Sequence, residues 1–155
     1  MTPLALWTLS ILSTVAPSSD PRYESIAQDI AWAAEKVSPE NPHEAAATLL
    51  SVARFESGGF REDIDTCRTT GDHGRSLTLW QIQGAPHEVC KDRRLAALYA
   101  WSKILQSEAL CRKQPHEDRL AVYTSGSCTN QAGLRLSRLY RREAKRYLTI
   151  ATARD

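Results

Sequence analysis

The chain has 155 residues, 42% of them hydrophobic, which is enough for one core and too few for two full domains. Its net charge of +2 hides an uneven distribution: in the last third, residues 135–146 gather Arg135, Arg138, Arg141, Arg142, Lys145 and Arg146 with only Glu143 among them. No internal repeat and no long low-complexity tract is present, which sets repeat architectures aside.

Taken in order, residues 4–16 (LALWTLSILSTVA) form an apolar run of signal-peptide length, followed by a polar, proline-bearing stretch. The expected division is a signal peptide at 1–16, a linker at 17–21, one folded domain at 22–150 and a tail at 151–155. The n-region has no Lys or Arg, and Thr14-Val15-Ala16 matches a small-residue cleavage site imperfectly. The run is also short for a bilayer, so export to the periplasm or the extracellular space is expected, with no permanent membrane span once the signal is removed.

Tyr23, Ile26, Ala27, Ile30, Ala31 and Ala34 then repeat with helical spacing up to Pro39 and predict a packing helix. Asn41 as N-cap, Pro42 at the first position and Glu44 in the place of a capping-box acid start the next one. Leu49, Val52, Ala53 and Glu56 follow the helical offsets 0, 3, 4 and 7, so a carboxyl continues an apolar face. Ser57-Gly58-Gly59 stops this helix, because glycine takes the left-handed C′ conformation without a Cβ clash. Glu56 is therefore placed in the last turn, beside unpaired carbonyls and against apolar neighbours. Both placements disfavour its anion and suit a proton donor near neutral pH. The competing reading is a structural glutamate paired with Arg54 or Arg61.

From residue 57 to 74 periodicity is lost, which predicts a loop or a small irregular hairpin long enough to suggest function. Residues 77–82 are too short to assign. Residues 92–111 predict a helix with Leu95, Leu98, Trp101, Leu105 and Ala109 along one face, where Trp101 reads as packing. Pro115, Glu117 and Asp118 mark the start of a short helix reaching Tyr123, and a last helix runs over about 131–149 with Leu136, Leu139, Tyr140, Ala144, Tyr147 and Leu148 inward. Its arginine stripe reads as a solvated face that could also attract anionic wall polymers, lipid head groups or nucleic acid. Nothing in the chain resembles a nucleic-acid module, so no specific nucleic-acid partner is expected.

Cys67, Cys90, Cys111 and Cys128 form an even set. In an exported chain they suggest two disulfides, whereas a reducing compartment would leave four buried thiols. The spacing contains no C-x-x-C and favours no zinc site, and no metal or other cofactor is expected. Three pairings are possible. Cys111–Cys128, bracketing the short helix, and Cys67–Cys90, tying the two sides of the loop, are preferred.

Three blocks stand out together: Glu56-Ser57-Gly58-Gly59-Phe60, Gly74-Arg75-Ser76-Leu77-Thr78-Leu79-Trp80-Gln81-Ile82, and Ala121-Val122-Tyr123-Thr124-Ser125-Gly126. In this order, across about half of the chain, they resemble the E-S-x-x-F, G-L-x-Q-I and A-x-Y-N-x-G motifs of the lysozyme-like lytic transglycosylases and their goose-type lysozyme relatives. The resemblance implies a single, mainly α, lysozyme-like domain with a small irregular or β-hairpin active-site loop. It also implies a monomer whose partner is the peptidoglycan glycan strand and whose reaction is cleavage between N-acetylmuramic acid and N-acetylglucosamine. Glu56 would be the catalytic acid, with Gln81, Tyr123 and Ser76 binding the glycan. Thr78 stands where the family has glycine, and Thr124 where it has asparagine.

A lytic transglycosylase needs only Glu56, acting first as acid and then as base on the muramic hydroxyl to give a 1,6-anhydro end. A hydrolytic goose-type-like lysozyme needs a water held on the opposite face, commonly by a second carboxylate at an inverting separation of about 6.5–9.5 Å, and a phage lysin is a further alternative. Asp63, Asp65 and Asp72 are the candidates, Asp72 first because it precedes the His73-Gly74 turn. A different class, a catalytically silent glycan-binding or assembly module, remains open because fold does not fix function. The retained Glu56, Gln81 and Tyr123 argue against it.

Overall fold

The computed structural model describes residues 1–16 and 19–152. The fold is mainly helical: α1 (Pro3–Val15), α2 (Arg22–Val37), α3 (Pro42–Glu56), the single turn α4 (Glu62–Asp65), α5 (Arg93–Leu110), α6 (Ala121–Ser125) and α7 (Gln131–Thr152). One two-stranded antiparallel hairpin, β1 (Ser76–Leu77) and β2 (Ile82–Gln83), sits between α4 and α5, with Ser76 opposite Gln83 and Leu77 opposite Ile82. The expected mainly α architecture with a small hairpin is what the chain forms.

The core is built around α3, which packs on α2 and α7. The periodicity predicted one apolar stripe, yet every residue from Ala45 to Ala53 is buried. The run Ala45-Ala46-Ala47 explains the difference, since side chains that small let neighbouring helices close in on several sides of the axis. Leu49, Leu50, Ile26 and Ile30 are fully buried, each worth about 1.5–3 kcal/mol relative to exposure. Trp80, from the hairpin turn, inserts beneath α3 and donates its indole N–H to the Leu49 carbonyl at 2.9 Å. Ser51 donates to the Tyr140 carbonyl at 2.9 Å and ties α3 to α7.

Asn41 occupies the N-cap position, but its side chain makes no capping bond, and Pro42 is the effective start signal. The single helix expected after Pro115 is split into a 3-10 turn at His116–Asp118 and the five-residue α6. Residues 57–74 hold α4 and a second 3-10 turn at Asp72–Gly74 rather than a bare loop. Residues 78–81 are the turn of the hairpin and not part of a strand.

The apolar run expected to be a signal is α1, and it is folded against α2 with Leu4, Ala5, Ile11 and Leu12 buried in the common core. Among the described residues no helix is long and apolar enough to cross a membrane. The expected cleavage junction after residue 16 meets residues 17 and 18, and the expected tail runs into 153–155; these five positions lie outside the described residues. Both preferred disulfides form, Cys67–Cys90 with Cα atoms 5.6 Å apart and Cys111–Cys128 at 5.4 Å. Closing loops of 23 and 17 residues, each contributes about 3 kcal/mol on the chain-entropy account.

Candidate active site

The site begins where α3 stops. Gly58 (φ +63°) and Gly59 (φ +93°) take conformations closed to most side chains, and the Gly59 N–H returns to the Arg54 carbonyl at 2.8 Å, with Gly58 reaching Phe55. This six-to-one closure is a Schellman motif, which ends the helix one residue after Glu56. Ser57 reinforces it by accepting from the Phe60 N–H at 2.8 Å. The carboxyl of Glu56 thus stays in helical register behind Leu49, Val52 and Ala53 while the chain turns away.

Glu56 opens into a cleft of about 460 Å³ walled by the hairpin and by α6. Asp72, Ser76, Gln81, Gln83 and Tyr123 line it. Two larger hollows, about 600 and 580 Å³, lie elsewhere, so chemistry and not size singles this one out. No cation pairs with Glu56 among the described residues. Arg54 is engaged by Glu143 at 3.4 Å and Tyr147 at 3.3 Å, and Arg61 by Asp63. The structural ion pair that the sequence left open is absent on both counts.

The partner of Glu56 is a phenol. Tyr140 donates its hydroxyl to Glu56 Oε1 at 2.7 Å and stacks its ring on Phe55, with centroids 5.7 Å apart and planes 15° apart. Burial pushes the Glu56 pKa up, the Tyr140 hydrogen bond pulls part of the way back, and the nearby charge of Asp72 pushes up again; the net direction is upward. The hydroxyls of Tyr140 and Tyr123 are themselves driven well above the ordinary tyrosine range, chiefly by burial and then by the charge of Glu56. Both phenols therefore act as fixed hydrogen-bond donors and not as bases.

Each residue expected at the site has a definite place. Tyr123 lies within the electrostatic reach of Glu56, but its hydroxyl donates to the Trp80 carbonyl at 2.6 Å and clamps the hairpin turn to α6. Gln81 lines the cleft, with its amide nitrogen and its backbone N–H both donating to the Thr78 carbonyl at 3.0 Å. Thr78 and Gln81 hold φ at +66° and +47°, so both ends of this turn are left-handed. Thr78, in the place expected for glycine, keeps the turn at the expense of strain in a β-branched residue and of a buried hydroxyl with no partner among the described residues. Thr124, in the place expected for asparagine, turns its hydroxyl back to the Ala121 and Gly133 carbonyls and so ties α6 to α7.

Ser76 donates to Asp72 Oδ2 at 2.8 Å, which joins one expected glycan contact to the expected second carboxylate. Asp72 is in the cleft with Glu56. Asp63 pairs with Arg61 at the surface, and Asp65 is buried under Arg22 and Arg93; neither lines the cleft. Three further residues belong to the site by position. Tyr140 read as core because it lies on the apolar stripe of α7, although a buried phenol demands a partner. Gln83 lines the cleft from β2. Gly71 leaves room for Gln81, since a Cβ there would stand 2.4 Å from Gln81 Oε1.

A polar cleft lined by one protonatable carboxyl, with an oriented hydrogen-bond donor on it, and by a second carboxylate is equipped for acid–base chemistry on a polyhydroxylated ligand. Among the described residues no group of three or more His, Cys, Asp or Glu side chains is arranged to hold a metal ion. Compared with protein-family models, curated proteins and solved structures, the chain matches none of them.

Proposed function

We propose that the chain is a glycosidase that cleaves the glycan strand of peptidoglycan between N-acetylmuramic acid and N-acetylglucosamine, with Glu56 as acid and then base. One observation carries the reading: Glu56 is a raised-pKa carboxyl, unpaired by any cation among the described residues, that borders a polar cleft with Tyr140 on one oxygen. In this reading Glu56 protonates the leaving oxygen while Gln81 and Ser76, with Gln83, hold the sugar. Tyr123 fixes the turn that presents Gln81. Glu56 then draws the proton from the muramic 6-hydroxyl, and the product is a 1,6-anhydro end. The disulfides suit an exported protein working in the periplasm or outside the cell.

A second reading, hydrolysis, is favoured by Asp72. It lines the same cleft and acts electrostatically on Glu56, as a carboxylate holding a nucleophilic water would. Mass spectrometry of muropeptides released in heavy-oxygen water separates the two. Anhydro ends without solvent oxygen support transglycosylation, and solvent oxygen in most new reducing ends supports hydrolysis, in which case Asp72→Asn lowers turnover severely. No cleavage by folded wild-type protein that still binds glycan strands would leave the binding module.

A further inference from the structure

A hollow of about 580 Å³ shares no residue with the Glu56 cleft. It lies between α7, the N-terminal half of α3 and the 3-10 turn at His116–Asp118, with an apolar part at Ala144 and Leu148. Its charges are of both signs. Arg142 and Lys145 enter from α7, Glu44 from α3 and Glu117 from the turn. None of these four is in an ion pair among the described residues, whereas Arg138 beside them is committed to Asp118 at 2.6 Å and also feels the charge of Glu117. Arg141 also lines the hollow. Its Nη2 pairs with Glu108, but its Nε is buried and has no acceptor among the described residues. A buried donor left in that state is destabilising, so an acceptor offered from the hollow would be used.

We propose that this hollow binds a short extended peptide that carries both carboxylates and a free ammonium group. A simple anion would meet Arg142 and Lys145 but also face Glu44 and Glu117, and a simple cation would meet the reverse. A dipolar ligand satisfies both walls, its carboxylate or carbonyl oxygens serve Arg141 Nε, and its aliphatic carbons cover Ala144 and Leu148. The length agrees: from Arg138 to Leu148 α7 advances about 15 Å, the span of four to five extended residues. The proposal stands without the catalytic reading. Under that reading it names the peptide borne by the glycan, since the hollow and Glu56 are separated along α3 by about 12 Å from Thr48 onward.

The test is titration of isotope-labelled full chain, followed by NMR, with the free tetrapeptide Ala-Glu-Ala-Ala, its N-acetylated form, its form with both carboxyl groups amidated, and inorganic polyphosphate. The expected result is amide shifts confined to the 44–48, 116–117 and 138–148 segments, with each blocked peptide binding about tenfold more weakly than the free one. Arg142→Gln with Lys145→Gln, and separately Glu44→Gln, should weaken the free peptide to a similar degree. Equal binding of blocked and free peptides overturns the proposal, as does absence of shifts at about 10 mM ligand, a range that would show even a weak complex. Tighter binding of polyphosphate, strengthened by Glu44→Gln, would also overturn it and identify an anion surface. Glu56→Gln should bind the peptide as wild type does, so loss of glycan cleavage and loss of peptide binding are read separately.

Discussion

A buried acid and a half-buried one, nine positions apart in sequence, are treated in opposite ways by this fold. Asp65, 7% exposed, sits under two guanidinium groups: Arg93 donates to both of its oxygens at 3.0 and 2.7 Å, and Arg22 adds a bond at 3.1 Å. Those arginines reach on to Asp29, Asp20 and the Phe60 carbonyl, so a single network fastens α2, α4 and α5. Glu56 has no such partner among the described residues and meets a neutral phenol instead. The lesson is that burial alone does not make a catalytic acid. An acid answered by cations becomes a fastening, and an acid answered by a neutral donor in an open cleft keeps a proton to give.

The contrast predicts different failures. Removing the fastening should have the largest effect: Asp65→Asn leaves Arg22 and Arg93 facing a neutral side chain and should destabilise by about 3–5 kcal/mol, the usual range for breaking a buried pair from one side. Chemical denaturation measures it, and a change below about 1 kcal/mol would remove Asp65 from this role, being the range of exposed pairs. Glu56→Gln should do the reverse. Turnover on peptidoglycan should fall about a hundred- to ten-thousandfold, the range of a lost general acid, while the protein becomes more stable at neutral pH. The sign follows from linkage. A carboxyl whose folded pKa is raised binds its proton more tightly in the folded state, so its contribution to stability is present at acid pH and is lost as pH rises from the unfolded toward the folded value. Replacing it with a neutral amide removes that loss, so the melting temperature of Glu56→Gln should exceed that of wild type at pH 7, with the difference vanishing near pH 4.

Gly71→Ala should act between these extremes. Its Cβ would meet Gln81 Oε1 at 2.4 Å, so the amide must leave the Thr78 carbonyl or the hairpin must shift. A gain of about tenfold in KM with a smaller change in kcat is expected if Gln81 binds ground state and transition state alike. Wild-type kinetics in Gly71→Ala would show that the position of Gln81 is immaterial.

Much of this was legible along the chain. The long helices followed from apolar spacing and from Pro42, and Glu56 was found because it broke the polarity of its own stripe. What escaped lay in three dimensions. Strands of two residues have no period, and the left-handed turns at Thr78 and Gln81 are held by tertiary clamps such as Tyr123 to the Trp80 carbonyl, 43 positions away. Tyr140 is 84 positions from Glu56 on a stripe that reads as core. The run at residues 4–16 has a composition that serves an exported leader and a packing helix equally, and its burial against α2 is a tertiary contact that composition does not disclose.

The smallest effects are the most discriminating, because two neighbours push Glu56 in opposite directions. Tyr140 stabilises the carboxylate by donating to it, so Tyr140→Phe removes the one pull downward and leaves burial and Asp72 unopposed. Asp72 destabilises the carboxylate by repulsion, so Asp72→Asn removes one push upward. The alkaline limb of the activity profile reports deprotonation of the general acid. It should move to higher pH in Tyr140→Phe and to lower pH in Asp72→Asn, because the lost hydrogen bond favoured the carboxylate and the lost repulsion disfavoured it. A purely structural Tyr140 would lower activity at every pH without moving the limb. Limbs that move together in both variants would break the assignment of Glu56 as the titrating acid, because no single carboxyl can answer a lost donor and a lost repulsion with the same sign.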